Sequence, residues 1–168
     1  MVIVYQSNTG FTKQYAEMLA RAEKLKLYAL DEAELPHDAE VFYMGPLMAG
    51  RITGIDKALK QFSVVGACGV GMSPPGRDIL NTLSKANSVP NAPIFYLQGG
   101  WAPKQVGWVK RQAVNMVTRS FRQALEAKSN RTAFEQANLD MLRKGGSLVA
   151  YENLSTIRDW MKELGTRK

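Results

Sequence analysis

Short apolar runs alternate with longer amphipathic segments between residues 1 and 100. The first run, Val2–Tyr5, is typical of a strand that is buried on both faces, as strands are in a parallel sheet. Similar runs predict further strands at 25–30, 40–45, 64–70 and 94–97. The segment from Phe11 to Glu23 carries apolar residues at helical spacing, which predicts a helix with one apolar stripe. Strands and helices therefore alternate along this part of the chain.

The alternation predicts right-handed βαβ units and hence an α/β fold with a parallel sheet. Further helices are expected at 55–62 and at 79–87, after the third and fourth strands. Strands in this number fit the doubly wound order 2-1-3-4-5. In that arrangement a ligand binds beyond the carboxyl ends of the strands, at the switch point between strands 1 and 3.

The polar stretch Ser7-Asn8-Thr9-Gly10-Phe11-Thr12 joins the first strand to the first helix. The free amides of a first helical turn point toward a ligand, and the helix dipole favours negative charge there. The hydroxyls of this stretch add donors, and its glycine lets the backbone come close to a ligand. The patterns for triphosphate and dinucleotide binding are absent after this strand. The stretch predicts a site for a single phosphate, although an ordinary helix cap explains the same residues.

Two further loops are expected at the same edge of the sheet. The segment from Pro46 to Gly54 follows the third strand and is punctuated by glycines. The segment from Gly71 to Arg77 follows the fourth strand, and its prolines and glycines exclude regular structure. Because the carboxyl ends of parallel strands meet at one edge, both loops should converge with residues 7–12. This convergence is the strongest functional signal in the sequence.

The composition is that of a soluble globular chain. The 168 residues suffice for a single domain, with 45% hydrophobic and 22% charged residues. No apolar run approaches the ~20 residues that span a bilayer, and the N-terminus lacks the regions of a signal peptide. The lone cysteine, Cys68, excludes an internal disulfide, so we expect a cytoplasmic protein. One histidine and one cysteine leave no predicted metal site.

The segment 99–148 intervenes between the fifth strand and the last helix. We expect helices over 104–128, 132–143 and 153–164. The first of these carries an apolar stripe, which we expect to pack on the domain: Val106, Val109, Ala113, Met116, Val117, Phe121, Ala124 and Leu125. Its basic residues should face water: Lys110, Arg111, Arg119, Arg122 and Lys128.

The net charge of +7 suggests an acidic partner, an anionic lipid surface or nucleic acid, or simply a basic solvated surface. No nucleic-acid recognition motif accompanies the charge, so we expect no nucleic acid as a partner. The basic face of the helix over 104–128 would suit an anionic membrane surface or an electron-transfer partner. A peripheral position at the membrane is therefore the alternative localisation.

The pattern S-x-T-G-x-T after the first strand resembles the phosphate loop of the flavodoxin family, which binds the phosphate of FMN. The resemblance implies a flavodoxin-like doubly wound five-stranded parallel sheet with a helical insertion before the last helix. It also implies FMN as the cofactor, with the loops after strands 3 and 4 along the isoalloxazine ring. The cofactor-binding residues that it implies are Ser7, Asn8, Thr9, Gly10, Phe11, Thr12, Pro46, Leu47, Met48, Ala49, Gly50, Arg51, Gly71, Met72 and Ser73.

The chain departs from flavodoxins because its two ring loops contain no aromatic residue. Either the ring is more open, with Leu47, Met48 and Met72 as apolar contacts, or Trp101 supplies the stacking. Arg51 or Arg77 would stabilise an anionic reduced flavin, unless both are solvated surface residues. Electron-carrying flavodoxins are also typically acidic, whereas this chain is basic.

The insertion makes the full chain similar to flavodoxin-domain proteins related to menaquinone-linked protoporphyrinogen dehydrogenase. The similarity is most specific at 2–12, at 41–51 and at 141–160. No residue identifies a porphyrin or quinone pocket, so the substrate of that enzyme is not carried over.

We therefore expect an FMN-binding redox protein that transfers electrons through a non-covalently bound flavin. Its partner would be an unidentified donor or acceptor protein, or a quinone. No general acid or base is recognisable, which favours electron transfer over acid–base catalysis. The alternatives are a flavodoxin-like module without flavin that serves interaction or regulation, and an oxidoreductase at the membrane surface.

Overall fold

A computed structural model describes residues 1–166, apart from the side chains of Lys110, Val117 and Thr166. The chain forms two compact units. The first contains residues 1–99 and the described residues from 149 onward, and the second contains residues 100–148. The predicted insertion, 99–148, covers the second unit.

A mainly parallel sheet forms the centre of the first unit. Its strands are β1 (Val2–Tyr5), β2 (Leu27–Ala29), β3 (Glu40–Met48), β4 (Arg51–Ile52), β5 (Ser63–Gly71) and β6 (Ile94–Gln98). The parallel strands lie in the order β2-β1-β3-β5-β6, and β4 pairs antiparallel with the end of β3. The predicted α/β class with a mainly parallel sheet is confirmed.

Helices connect the strands and continue into the second unit. They are α1 (Phe11–Glu23), α2 (Ile55–Gln61), α3 (Arg77–Ala86), α4 (Trp108–Ala127), α5 (Ala133–Lys144) and α6 (Ser155–Thr166). Two short 3₁₀ turns occur at Pro103–Gln105 and at Tyr151–Leu154. None of the helices in the described part of the chain is both long and apolar enough to cross a membrane.

The two faces of the sheet bury two separate hydrophobic clusters. Ile3 and Phe42 pack with buried residues of α1 and α6 on one face. Their neighbours in sequence, Val4 and Tyr43, pack with α2 and α3 on the other face. Successive residues of a strand point to opposite faces, so each apolar run is buried on both sides.

Tyr15 on α1 forms hydrogen bonds near the point where the chain leaves the first unit and near the point where it returns. Its hydroxyl donates to the carbonyl oxygen of Gln98 at 2.6 Å and accepts from Asn153 Nδ2 at 2.6 Å. Burial raises the pKa of Tyr15, so the hydroxyl stays protonated and continues to donate.

The second unit is a helical pair closed by a short antiparallel sheet. Strand β7 (Gly100–Trp101) pairs with β8 (Gly146–Ser147), and α4 contacts α5. Thr132 caps α5, since its hydroxyl accepts from the Glu135 amide and Glu135 accepts from the Thr132 amide. A hydrogen bond from Lys128, together with that amide, lowers the pKa of the Glu135 carboxyl.

The predicted helix over 104–128 is wrong at its start. Pro103–Gln105 forms a 3₁₀ turn, and Val106 and Gly107 have extended backbone before α4 begins at Trp108. Gly107 interrupts the helical pattern, and α4 begins directly after it.

The expected burial of the apolar stripe on this helix is also wrong for most of its described members. Val109, Ala113 and Met116 are exposed, and Leu125 is the stripe residue that is fully buried. On the basic face, Arg111 and Arg122 are half-buried, while Arg119 and Lys128 are exposed as expected. Two predictions, for Lys110 and Val117, concern side chains outside the described residues.

Candidate functional site

The three predicted loops begin at the same edge of the sheet, because β1, β3 and β5 are parallel neighbours. Close contacts link the segments that follow them. A Cβ placed on Gly71 would lie 3.3 Å from Leu47 Cβ. A Cβ placed on Gly99, after β6, would lie 2.9 Å from Val70 Cγ1 and 3.1 Å from Phe11 Cβ. Residues of all three predicted loops therefore border one region.

The segment after β1 opens directly into the first turn of α1. Gly10 has a φ of 87°, and its amide donates to Ser7 Oγ at 3.1 Å. The first α-helical bond runs from the Gln14 amide to the Gly10 carbonyl. The amides of residues 11–13 therefore have no carbonyl within the helix to donate to. The first turn also lacks an acidic residue, so its positive dipole end has no carboxylate partner there.

Polar side chains at this turn are available to a ligand. Thr12 is only 2% exposed, Thr9 is half-buried and Asn8 is exposed. No other residue in the described part of the chain forms a hydrogen bond with these three side chains. Lys13 follows them and is 3.8 Å from Glu17, an exposed pair of little energetic value. The turn thus combines free amides with free hydroxyls.

A cavity of about 250 Å³ opens beside this turn, between the ends of β1 and β2. Its lining residues are Tyr5, Gln6, Ser7, Gly10, Lys13, Ala29, Leu30 and Asp31. None of the residues predicted to hold a flavin ring lines it. Sequence reasoning missed Lys13 and Asp31, although a signal existed. Asp31 follows the second strand closely, and β2 pairs with β1 in the sheet.

The predicted loop at 46–54 is wrong, because most of it forms a β-hairpin. Strand β3 continues through Pro46 to Met48, and Leu47 pairs with Ile52 in β4. Ala49 and Gly50 connect the strands with φ angles of 49° and 81°. Positive φ at both central residues is the geometry that two-residue hairpins favour. This segment is therefore ordered by backbone pairing.

Asn87 at the end of α3 fixes the hairpin. Its Oδ1 accepts from the Ile52 amide at 2.8 Å, and its Nδ2 donates to the Gly50 carbonyl at 2.9 Å. The same amide group donates to the Leu83 carbonyl at 2.9 Å. Asn87 is buried, so these bonds are shielded from water.

Replacing Asn87 by alanine should lower the free energy of unfolding by about 2–4 kcal/mol, because the buried Ile52 amide and the Gly50 carbonyl lose their partner. Urea denaturation followed by circular dichroism measures this change. The exposed Asn81 on the same helix provides the control, and its replacement by alanine should stay within about 0.5 kcal/mol of wild type. Equal effects of the two substitutions would mean that Asn87 does not hold the hairpin.

The residues of the hairpin that were predicted to contact the ring lie in different surroundings. Leu47 packs against the α2–α3 face, whereas Met48 is exposed at the end of the strand. Arg51 contacts both carboxylate oxygens of Asp56, at 3.0 and 2.8 Å. Its charge is therefore matched by Asp56. Arg77 has no ion pair with any residue that the structure describes, which makes it the better of the two arginines for an anionic ligand.

The segment after β5 is tied to β6 by its carbonyl groups. Tyr96 Oη donates to the Ser73 carbonyl at 2.6 Å, and Gln98 Nε2 donates to the Met72 carbonyl at 2.9 Å. The Gly99 amide donates to the Gly71 carbonyl at 2.7 Å. Burial raises the pKa of Tyr96, so this donor stays protonated. Ligand contacts here would come from amides and the Met72 side chain.

Trp101, the alternative stacking residue, belongs to the second unit. It lies in β7 opposite Gly146 and is buried. Its ring therefore presents little surface to a ligand. Aromatic stacking from this residue is not supported, and a flavin at the edge of the sheet would rely on aliphatic and thioether contacts.

Comparison with known proteins returned no relative. No protein-family model, no curated protein and no solved structure matches this chain.

Proposed function

We propose that the chain binds FMN at the carboxyl edge of its parallel sheet and transfers electrons through it. The observation that carries the proposal is the turn at 7–12, where free amides and free hydroxyls meet the positive end of α1. The strand order supports it, because the parallel strands follow 2-1-3-4-5 when β4 is left out of the numbering. The turn then lies beside the switch point between β1 and β3, where ligands bind in doubly wound sheets.

The residues fit the phosphate end of FMN better than the ring end. Thr12 is 2% exposed as a residue, and none of the described residues forms a hydrogen bond with its hydroxyl, so this hydroxyl can donate to a phosphate oxygen. Beside the ring, Met48 and Met72 offer polarizable thioethers, and Leu47 offers an aliphatic surface. The cavity of about 250 Å³ lies beside the turn, and the residues proposed for the ring are not among those that line it, so the ring would lie outside this cavity.

Bound FMN would supply one- and two-electron chemistry, and the chain would position it and exclude side reactions. Two titratable groups on β5 and β6 do not suit proton transfer near neutral pH. Burial raises the pKa of both Cys68 and Tyr96, which keeps the thiol and the phenol protonated. An electron carrier needs no general acid or base, so these neutral groups agree with that role.

Absorbance and fluorescence titration of the purified protein with FMN tests the proposal. We expect the flavin spectrum to shift and its fluorescence to change on binding. Riboflavin lacks the phosphate and should bind at least about tenfold more weakly, since hydrogen bonds to a charged group are the strong ones. A colourless protein that leaves FMN fluorescence unchanged at all concentrations would contradict the proposal.

Replacing Thr12 by valine should weaken FMN binding about fivefold or more, because one hydrogen bond of ~1 kcal/mol or above is lost. Valine keeps the shape of threonine, so the core beneath the turn is preserved. The matched control is Thr156→Val on α6, where the threonine is exposed. FMN titration of both variants is the measurement, and equal dissociation constants would remove Thr12 from the site.

A flavin-free interaction module is the second candidate, and the hairpin favours it. Asn87 already binds backbone groups of the hairpin, and Asp56 already pairs with Arg51. Few polar groups of the hairpin therefore remain to bind a flavin ring. The exposed Met48 would then contact a protein partner. A cooperative melting transition together with no response to FMN would support this candidate.

A further inference from the structure

The second unit contains a cleft that the FMN proposal does not use. It is a wide cleft of about 660 Å³ that is open to solvent. The lining residues are Gln112, Asn115, Met116, Arg119, Arg122, Gln123, Glu126 and Arg143. All except Arg143 come from α4, at spacings of three and four residues or their sums, so they share one side of that helix. Arg143 reaches the cleft from α5.

The cleft carries an excess of positive charge. Arg143 donates through Nε and Nη2 to Glu126 Oε1, at 3.0 and 2.8 Å. That carboxylate fixes one guanidinium at the end of the cleft and neutralises one charge. Arg119 and Arg122 form no ion pair with any described residue. Three guanidinium groups and one carboxylate leave a formal charge of +2.

Amide side chains accompany the arginines. Asn115 and Gln123 line the same cleft, and each can donate two hydrogen bonds. Guanidinium groups bind phosphate and carboxylate oxygens in pairs, with a fixed planar geometry. A dianionic group matches the charge of the cleft, whereas a single carboxylate would leave a charge of +1.

Exposed apolar side chains lie on the same helix: Met116 lines the cleft, and Trp108 and Val109 lie at the N-terminal end of α4. Trp108, Val109 and Met116 are 70%, 71% and 74% exposed. At about 100° per residue, these three positions and Arg119 fall within about 100° of the circumference of α4. Exposed apolar groups next to cations suit a ligand that is itself part apolar and part anionic.

We propose that the cleft on α4 binds a phosphate monoester, carried either by a soluble molecule or by a lipid head group. Arg119 and Arg122 bind the phosphate oxygens, and Asn115 or Gln123 donates further hydrogen bonds. Arg143 offsets the negative charge of Glu126, so that the cleft keeps a formal charge of +2. Met116 contacts the apolar part of the ligand. This binding does not depend on FMN at the edge of the sheet.

Two binding experiments distinguish a soluble phosphate monoester from a lipid head group as the ligand. Calorimetric titration with glycerol 3-phosphate tests the soluble source. Co-sedimentation at low salt with phosphatidylcholine vesicles that contain phosphatidic acid tests the lipid source. Vesicles with phosphatidylglycerol are the control, because that phosphate is a diester with a single charge. Binding in either arm, with phosphatidic acid preferred over phosphatidylglycerol in the second, is the expected result.

Variants locate the site. The double substitution Arg119→Gln, Arg122→Gln should weaken binding about tenfold or more, since two charge-assisted contacts are lost. The double substitution Arg119→Lys, Arg122→Lys keeps the charge but loses the planar fork, and an intermediate affinity is expected. The exposed Arg21 on α1 is the control, and Arg21→Gln should stay within about twofold of wild type.

Variants of the exposed apolar side chains also distinguish a lipid ligand from a soluble one. Trp108→Gln and Met116→Gln should abolish vesicle binding and spare glycerol 3-phosphate if the ligand is a lipid. The proposal is overturned if neither arm shows binding, or if Arg21→Gln weakens binding as much as the cleft variants. Equal binding to the two anionic lipids would also overturn it, because net charge alone would then explain the result. A change in FMN affinity is not expected from any cleft variant.

Discussion

Replacing Gly54 by alanine should lower the free energy of unfolding by about 2–5 kcal/mol, more than a surface substitution of the same size. Gly54 precedes α2 with a φ of 84° and a ψ of −6°, a region that residues with a Cβ rarely adopt. The added Cβ would lie 2.2 Å from Tyr43 Oη and 2.3 Å from Gln6 Oε1. Backbone strain and steric overlap therefore act together.

The neighbours of Gly54 have little freedom to give way. The Tyr43 hydroxyl donates to the Thr53 carbonyl at 2.7 Å, and the ring is fully buried in the core. Gln6 and Leu30 line the cavity beside the turn after β1, so their displacement would reach the candidate site. FMN affinity should therefore fall in the Gly54→Ala variant as well, even where the protein remains folded.

Gly76→Ala is the matched control for Gly54→Ala. Gly76 precedes α3 with a φ of 169°, which is extended backbone, and no atom lies within 4 Å of the added Cβ. Its replacement should leave stability unchanged or raise it by about 0.4–1 kcal/mol through the unfolded state. Urea denaturation of both variants is the measurement. Similar stabilities for the two would contradict the close packing around Gly54.

Phe42→Ala should remove about 3–5 kcal/mol of stability, the usual cost of deleting a buried aromatic side chain. Phe42 is fully buried in the central strand β3. Its ring centroid lies 6.0 Å from that of Phe95 and 5.5 Å from that of Trp160, and these two rings are also 5.5 Å apart. Tilted pairs at such distances add about 0.5–1.5 kcal/mol each beyond burial.

The cluster around Phe42 joins three elements, β3, β6 and α6, so its loss should be felt across the sheet. Thermal or urea denaturation measures the effect. The control is Phe134→Ala on α5, where the ring is about half exposed. We expect that substitution to cost less than about 1 kcal/mol. A larger loss at Phe134 than at Phe42 would contradict the assignment of the core.

The first strand and helix could be predicted from the sequence alone. β1 covers Val2–Tyr5 and α1 covers Phe11–Glu23, as expected. The signals there are strong, because a continuous apolar run is followed by a glycine-containing turn and a clear helical period. The turn at 7–12 is fixed by these two neighbours.

The hairpin after β3 could not be predicted in the same way. Pro46 lies inside the strand, and β4 is only two residues long, so no alternating pattern marks it. What stabilises the hairpin is Asn87, more than thirty residues later in the chain. A contact of that kind has no local sequence signal.

The exposed stripe on α4 shows a second limit of prediction from the sequence. Periodicity correctly placed Val109 and Met116 close together on one side of the helix, yet it could not say whether that side is covered. The cleft on the same helix was missed for a related reason. Arg143 is distant in sequence from Arg119 and Arg122, and its hydrogen bond to Glu126 holds it at the same cleft.

The Tyr15 hydroxyl has a consequence for how the chain is assembled. It binds Gln98 just before the chain departs from the first unit and Asn153 just after it returns, which holds both ends of the excursion at one point. Among the side chains that the structure describes, those of the two core clusters all belong to the first unit. The cost of closing such a loop grows only slowly with its length. The second unit is therefore an inserted module. Its length and sequence can change while the hydrogen bonds of Tyr15 continue to hold the two ends of the insertion together.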